Sequence, residues 1–276
     1  MRIHAKIENQ LKITDLYTAF VTERTPDYNF CGESHDFWEL LIVIDGDIGT
    51  VINNEVRRFS GGQSFICRPM EFHSVWVEGG KNAKIAVFTF SAENMPELKH
   101  RTFEIDGIGC SFAEQLISEI DDSFDVQGVS VLGVARGREM MAVIAVKKLE
   151  LFLLDLFTKH IRTDIFEKPK RAEMFERIIK IMEDNIERDL SAEDIARLSN
   201  ISVSYLQKVF IKYVGMGAIS YFNRMKITYA TIMLQNGMSV SDVAEKLCFS
   251  NPNYFSTVFK RIKGENPSVY KKNILN

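Results

Sequence analysis

Phe249-Ser250-Asn251-Pro252-Asn253-Tyr254-Phe255-Ser256-Thr257-Val258-Phe259-Lys260 decides the fold of the last part of this chain. Asn251-Pro252 opens a helix, because proline is tolerated in a first helical turn. Phe255, Val258 and Phe259 then recur at helical spacing, and Gly264 closes the element. The same outline stands 49 residues earlier, where Tyr205-Leu206, Val209-Phe210, Lys212 and Gly215 match Tyr254-Phe255, Val258-Phe259, Arg261 and Gly264. Asp194-Ile195-Ala196 recurs as Asp242-Val243-Ala244 at a shift of 48. Two copies of one supersecondary unit follow, with one extra residue in the second turn.

Each copy has the outline of a helix-turn-helix. Ser191 caps a short helix, small Ala196 lets a second helix cross close by, and Asn200 takes the left-handed conformation that ends the first. Ser202 caps the next helix, which buries Tyr205, Leu206, Val209 and Phe210. In the second copy Ser239 or Ser241 is the cap and Ala244 sits at the crossing. Ala218–Gln235 reads as one long helix connecting the copies. The exposed first turns of the two second helices carry Val203, Ser204, Gln207 and Lys208, then Asn253, Ser256 and Thr257. Lysine donates to guanine, glutamine and asparagine pair with adenine, and serine and threonine serve either role. Lys212, Lys260, Arg261 and Lys263 are placed for phosphates.

Charge agrees with a polyanionic partner. The chain as a whole carries −3, yet from Ile195 onward 11 basic residues face 3 acidic ones, while residues 1–168 hold 18 basic and 26 acidic. A basic tail behind an acidic front half suits nucleic acid. The run Ser202–Phe210, the run Phe249–Lys260 and the closing Gly264-Glu265-Asn266-Pro267-Ser268-Val269-Tyr270 resemble the two-motif DNA-binding domain of AraC/XylS-type regulators. The resemblance covers about residues 172–276. It implies two recognition helices in successive major grooves, a promoter site on double-stranded DNA, RNA polymerase as a partner and, usually, activation. The chain departs from the pattern at Thr257, where Arg or Lys is frequent, at Cys248, where Gly is common, and at Ser199, where an apolar residue is common.

The front half changes period. Phe37–Ile44, Ile48–Ile52, Val56–Phe59, Ser64–Cys67, Ser74–Val77 and Lys84–Phe90 are short apolar runs separated by turn residues, the signature of a sandwich or barrel. Helical spacing follows at Ser111–Phe124 and Glu139–His160, the latter with Ala142, Val143, Val146, Leu149, Leu153, Leu156 and Phe157 on a broad face. Polar residues 163–171, with Pro169, read as a linker. The expected fold class is therefore mixed and two-domain. An all-β sensor, a barrel over about 10–95 with a helical pair over about 111–162, fills residues 1–165. An all-α domain with two helix-turn-helix motifs fills 171–276.

Glu33-Ser34-His35-Asp36-Phe37-Trp38-Glu39, Gly46, Gly61-Gly62 and Pro69-Met70-Glu71-Phe72-His73 resemble the two cupin motifs, the barrel that AraC-type regulators carry as a sensor. The resemblance implies a small-molecule effector, a carbohydrate or related metabolite, and a homodimer. Tyr28 and Phe72 add aromatic surface. His35, Trp38, Glu39, Arg68, Glu71, His73 and Trp76 are the candidate effector contacts. Leu149, Phe152, Leu153 and Leu156 are the candidate subunit contact, although the apolar faces of the helical pair could equally pack back onto the barrel. Enzymatic cupins hold a metal through three His and a Glu. Here Glu33 stands where the first His would be, with His35, Glu39 and His73 on the other positions. Regulatory cupins usually lack metal, so no cofactor is expected and these four are the candidate ligands should one bind. The rival reading is a metal-dependent cupin enzyme, an isomerase or oxygenase with a helical appendage. The intact double motif argues against it.

Length suits two domains, and 46% hydrophobic with 26% charged residues is an ordinary globular composition. No run is apolar enough for a membrane span, and Met1–Glu8 lacks an apolar signal core, which predicts a cytoplasmic protein. Cys31, Cys67, Cys110 and Cys248 lie at neither metal nor redox spacing and read as reduced thiols. That spacing also speaks against a repair protein built around a reactive cysteine.

Overall fold

A computed structural model describes residues 11–52, 54–98, 100–159 and 172–275. Trp38–Asp45 (β3) shows why the front half is a layered β structure. Trp38, Leu40 and Ile42 join one apolar cluster, while Leu41 and Val43 join another. Successive side chains on a strand point to opposite faces, so an unbroken apolar run belongs to a strand covered on both. Ala83–Glu93 (β8) divides likewise, with Ala86, Phe88 and Phe90 in the first cluster and Ile85 and Val87 in the second.

The remaining strands are Lys12–Arg24 (β1), Asn29–Glu33 (β2), Asp47–Ile52 (β4), Glu55–Ser60 (β5), Gln63–Cys67 (β6), His73–Glu78 (β7), Thr102–Glu104 (β9), Phe124–Gln127 (β10) and Ser130–Val134 (β11). They form a seven-stranded sheet, β10-β11-β1-β8-β3-β6-β9, and a four-stranded sheet, β2-β7-β4-β5. The second cluster fills the interior, where Val75 and Val77 of β7 and Ile48 and Ile52 of β4 meet the inner residues of the larger sheet. The first cluster lies on that sheet's other face, against Gly107–Ser123 (α1) and Glu139–Lys159 (α2).

The six expected runs are all strands. β1, β2, β9, β10 and β11 were not foreseen, because their apolar residues are interspersed with Lys12, Asp15, Thr18 and Glu23 or too few to show a period. The helical pair is present, but its apolar face is turned the other way from the expected subunit contact. Leu149, Leu153 and Leu156 are at most 1% exposed and belong to the core on the sheet, with Phe152 packed beside them. The three leucines are covered by their own chain, whereas half-buried Phe152 lines an open groove between the two helices. The exposed large apolar residues described on α2 are instead Met140, Met141, Val143, Ile144, Leu151 and Leu154.

The second unit begins with Ala172–Asp184 (α3), followed by Ala192–Leu198 (α4), Val203–Val214 (α5), Ala218–Gln235 (α6), Val240–Lys246 (α7), Pro252–Lys263 (α8) and Pro267–Leu275 (α9). The caps are those the residue types favour. Ser191 and Asp194 make a reciprocal capping box on α4, and Ser202 accepts from the Tyr205 N–H at the start of α5. Ser239, rather than Ser241, caps α7, and Asn251 caps α8 with Pro252 in its first turn. Gly215 and Gly264 end α5 and α8 at φ 63 and 81. One expectation fails here: Tyr205 is 44% exposed, because it lies about 100° around the helix from Leu206. The linker at 163–171, the end of the Glu139–His160 helix and the N-terminal residues 1–10 lie outside the described residues.

Candidate nucleic-acid interface and ligand cavity

In both copies a short helix and a capped second helix are joined by a turn that needs a left-handed residue, Asn200 at φ 56 in the first and Cys248 at φ 48 in the second. Leu206, Val209 and Phe210 anchor α5, as Phe255, Val258 and Phe259 anchor α8, all of them buried. Helical geometry then fixes what faces outward. On α5 these are Ser204, Lys208, Ile211 and Lys212, and on α8 Asn253, Thr257, Lys260 and Arg261, all exposed and in register at a shift of 49. Val203, Gln207 and Ser256 are half-buried at the flanks. Gln207 turns its amide oxygen toward Gly217, to within 3.2 Å of where a Cβ would stand, and so leans on the start of α6. Lys208 therefore occupies the more outward position of that pair. The Thr257 hydroxyl donates to the Asn253 carbonyl at 2.9 Å, which leaves its oxygen able to accept. Thr257, Lys260, Arg261 and Asn266 border a shallow depression of about 440 Å³ beside the end of α8.

The barrel interior opens into a cavity of about 360 Å³. Its walls are mostly apolar, including Phe20, Phe30, Leu41, Val75 and Val87, with Thr18, Arg24, Tyr28, Glu33, Glu39, His73 and Thr89 as polar points. The alternation of each strand decides which residues reach it. Glu39 shares the inner face of β3 with Leu41, and His73 shares that of β7 with Val75. Trp38 and Trp76 are one residue out of phase and do not line the cavity. Trp38 packs on the helix-side core, and Trp76 lies over Gly49, where any Cβ would collide with the indole, and donates to Glu78 at 2.6 Å. Arg68 donates to the Leu98 carbonyl, and Glu71 pairs with Arg101 and accepts from the Arg68 N–H. Of the seven candidate effector contacts, then, Glu39 and His73 line the cavity, His35 borders it, and Trp38, Arg68, Glu71 and Trp76 serve the scaffold. Thr18, Arg24, Thr89 and Val129, the last from the turn between β10 and β11, were missed. Following phase from Leu41 and Val87 would have found Thr89.

At the polar end Glu33, His35, Glu39 and His73 come together, with one ligand atom from each lying within 4.8 Å of the others. β2 and β7 pair Glu33 directly with His73. His35 Nε2 and His73 Nε2 each stand 3.4 Å from a different oxygen of Glu39. Burial pushes the Glu39 carboxyl upward, but His73 and His35 outweigh it and hold the pKa at about 2. Burial pulls His73 down, and the Glu39 carboxylate overcomes this and raises it.

The family model described as an AraC-like ligand binding domain matches residues 16–127, and that of a helix-turn-helix domain matches 195–273. The HTH-type transcriptional activator RhaR of Salmonella schwarzengrund (strain CVM19633) is 22% identical over 267 residues, covering 91% of this chain and 90% of that protein. RhaR of Salmonella typhi gives the same values. Among solved structures, ToxT from Vibrio cholerae O395 covers 94% of this chain and 98% of its own, at 13% identity and a TM-score of 0.38. An AraC-type DNA-binding-domain regulator from Chromobacterium violaceum covers 38% of this chain and 94% of its own, at 24% identity and a TM-score of 0.36. Among the described residues no helix is long and apolar enough to cross a membrane. With one model on the barrel and the other on the duplicated helical motif, the chain belongs to the AraC-type transcription regulators and joins a ligand-binding domain to a DNA-binding one.

Proposed function

We propose that the protein binds a specific duplex site through α5 and α8, senses a small metabolite in the barrel cavity, and acts on transcription as a homodimer without catalysing a reaction of its own. The observation that carries this is the pair of outward faces in register, Ser204, Lys208 and Lys212 on one helix and Asn253, Thr257 and Arg261 on the other. Asn253, Thr257, Lys208 and Ser204 read base edges, with Val203, Gln207 and Ser256 flanking them, while Lys212, Lys260 and Arg261 hold phosphates. The effector is a carbohydrate or related metabolite, whose hydroxyls find Thr18, Thr89 and Tyr28 and whose apolar faces find Phe20 and Phe30. Its occupancy biases an equilibrium between regulator states, and through it contact with RNA polymerase in the cytoplasm.

The subunit contact moves to the exposed side of the helical pair. Ile108 and Leu151, 81% and 66% exposed, border a largely apolar groove of about 640 Å³ between α1 and α2. Leu151→Asp dissociates the dimer in sedimentation while leaving the fold intact. A Leu151→Asp protein that sediments like the parent contradicts this assignment. For the whole reading, the test is retention of random duplex DNA by the full chain. Steep weakening with salt and an enriched sequence are expected, since phosphate neutralisation releases counterions. Retention of no duplex contradicts it.

A further inference from the structure

We propose that Arg57, His100, Arg101 and Thr102 form a binding site for a tetrahedral oxyanion of the phosphate class, between the two sheets of the front half and separate from the barrel cavity. The four border a pocket of about 120 Å³ whose walls also include Ile52 and Phe65, and none of its lining residues lines the cavity. Pockets that take whole drug-sized molecules run to about 300–1,000 Å³, so this one has room for a single functional group.

Strand phase directs two of these side chains inward. Arg57 shares a face of β5 with Phe59, which belongs to the interior cluster. Thr102 pairs with Phe65 of the same cluster, while its neighbour Phe103 joins the core on the other face of the larger sheet. His100 and Arg101 come from the segment that leads into β9, and that segment is tied down at three points. The Arg101 carbonyl accepts from the Ile66 N–H at 2.9 Å, Arg68 donates to the Leu98 carbonyl at 3.1 Å, and Arg101 Nη1 donates to Glu71. The Arg101 guanidinium is therefore oriented before any ligand arrives.

The polar groups select an anion. Thr102 is 3% exposed, and its hydroxyl is buried without a hydrogen-bond partner. Buried polar atoms rarely go unsatisfied. A guanidinium only donates, imidazole and hydroxyl can donate, and no carboxylate is among the described residues that line the pocket. The donors converge from β5 in the smaller sheet and from β9 with its lead-in on the larger one. Such a spread suits a ligand with oxygens in several directions better than the planar pair of a carboxylate. Arginine forks match phosphate oxygens in particular.

The test titrates the full chain with inorganic phosphate in a calorimeter at constant ionic strength. Saturable binding is expected, with a rise in melting temperature as phosphate is added. Thr102→Val keeps the branched shape and removes only the donor, so it is expected to weaken binding about tenfold, as losing a hydrogen bond to a charged group does. Arg57→Gln, checked for folding by circular dichroism, is expected to weaken it further. Lys260→Ala controls for the basic face of α8 and is expected to leave the affinity unchanged. Acetate is expected to bind more weakly than phosphate. Glucose 6-phosphate separates the sources: tighter binding than the free ion assigns the site to an esterified phosphate, and weaker binding assigns it to the free ion. No saturable binding by the parent, binding that Thr102→Val or Arg57→Gln leaves unchanged, binding lost in Lys260→Ala, or acetate held as tightly as phosphate overturns the site.

Discussion

In the first helix-turn-helix copy an exposed Arg177 on α3 donates to the Ser199 carbonyl that ends α4, at 2.7 Å. In the second a buried Lys226 on α6 donates to the Leu247 carbonyl that ends α7, also at 2.7 Å. The two donors are 49 residues apart, so the repeat is larger than a helix-turn-helix. Each copy is a three-helix unit in which a supporting helix clamps the end of the first motif helix. The clamps differ in burial. Lys226 also lies over the rings of Phe222 and Phe249, at 4.9 and 5.3 Å, and burial depresses its pKa. The outward faces differ in chemistry, since exposed Ile211 of the first copy stands where the second has Lys260. A shared scaffold thus leaves the reading surfaces free to diverge.

The scaffold half of this comparison breaks most severely at the anchors. Phe255→Ala removes a fully buried ring that packs 5.1 Å from Phe249 and 5.7 Å from Phe259. It should cost about 3–5 kcal/mol in denaturant unfolding. A loss under about 1 kcal/mol contradicts the packing described. Next come the clamps. Lys226→Met strands the Leu247 carbonyl and should cost about 1–3 kcal/mol. Arg177 is itself exposed although the Ser199 it serves is buried, so Arg177→Met removes a less buried donor and its cost in the same experiment should be the smaller of the two. Equal costs would mean that burial does not distinguish the copies.

A third substitution sharpens the contrast in the turns. Asparagine tolerates the left-handed conformation of Asn200, whereas cysteine at position 248 pays a steric penalty. Cys248 is exposed and packs little, so Cys248→Gly should raise stability by about 1 kcal/mol. An unchanged or lower midpoint would show that the turn carries no strain. The smallest effects are electrostatic. Lys260→Ala should make the salt dependence of DNA affinity shallower by about one unit, and Ile211→Lys should steepen it by a similar amount. Opposite signs would reverse the assignment of these positions to the phosphates.

Much of the helical unit was legible because capping and left-handed residues are local signals. Ser191, Ser202, Asn251, Gly215 and Gly264 announce their positions by type, and Ala218–Gln235 runs unbroken between two such marks. Arg177 and Lys226 were not foreseen, since a clamp depends on helices that cross far from each other in sequence. The barrel strands buried on both faces were legible from their apolar runs, and the half-exposed β1 and the hairpin of β10 and β11 were not. The cavity suffered most. Motif resemblance points to His35, Glu39 and His73, whereas the aromatic character of Trp38 and Trp76 suggests a lining role that their phase on the strand excludes. For α2 the sequence leaves two partners open, a second copy and the barrel, and the structure shows the barrel for the leucines. An apolar face at helical spacing says that something covers it, and here the sheet of the same chain does.

The central claim is that the outward faces of α5 and α8 read DNA. Asn253 lies on the exposed first turn of α8, and Arg261 lies two turns further on. The most direct measurement is the affinity of Asn253→Ala and Arg261→Ala full chains for the preferred duplex and its single-base variants at several salt concentrations. Asn253→Ala should lose about 1–3 kcal/mol on the preferred duplex and relax preference at one or two base pairs. Arg261→Ala should weaken all duplexes alike and make the salt slope shallower by about one unit. Base preference left untouched by Asn253→Ala and altered by Arg261→Ala would contradict the claim.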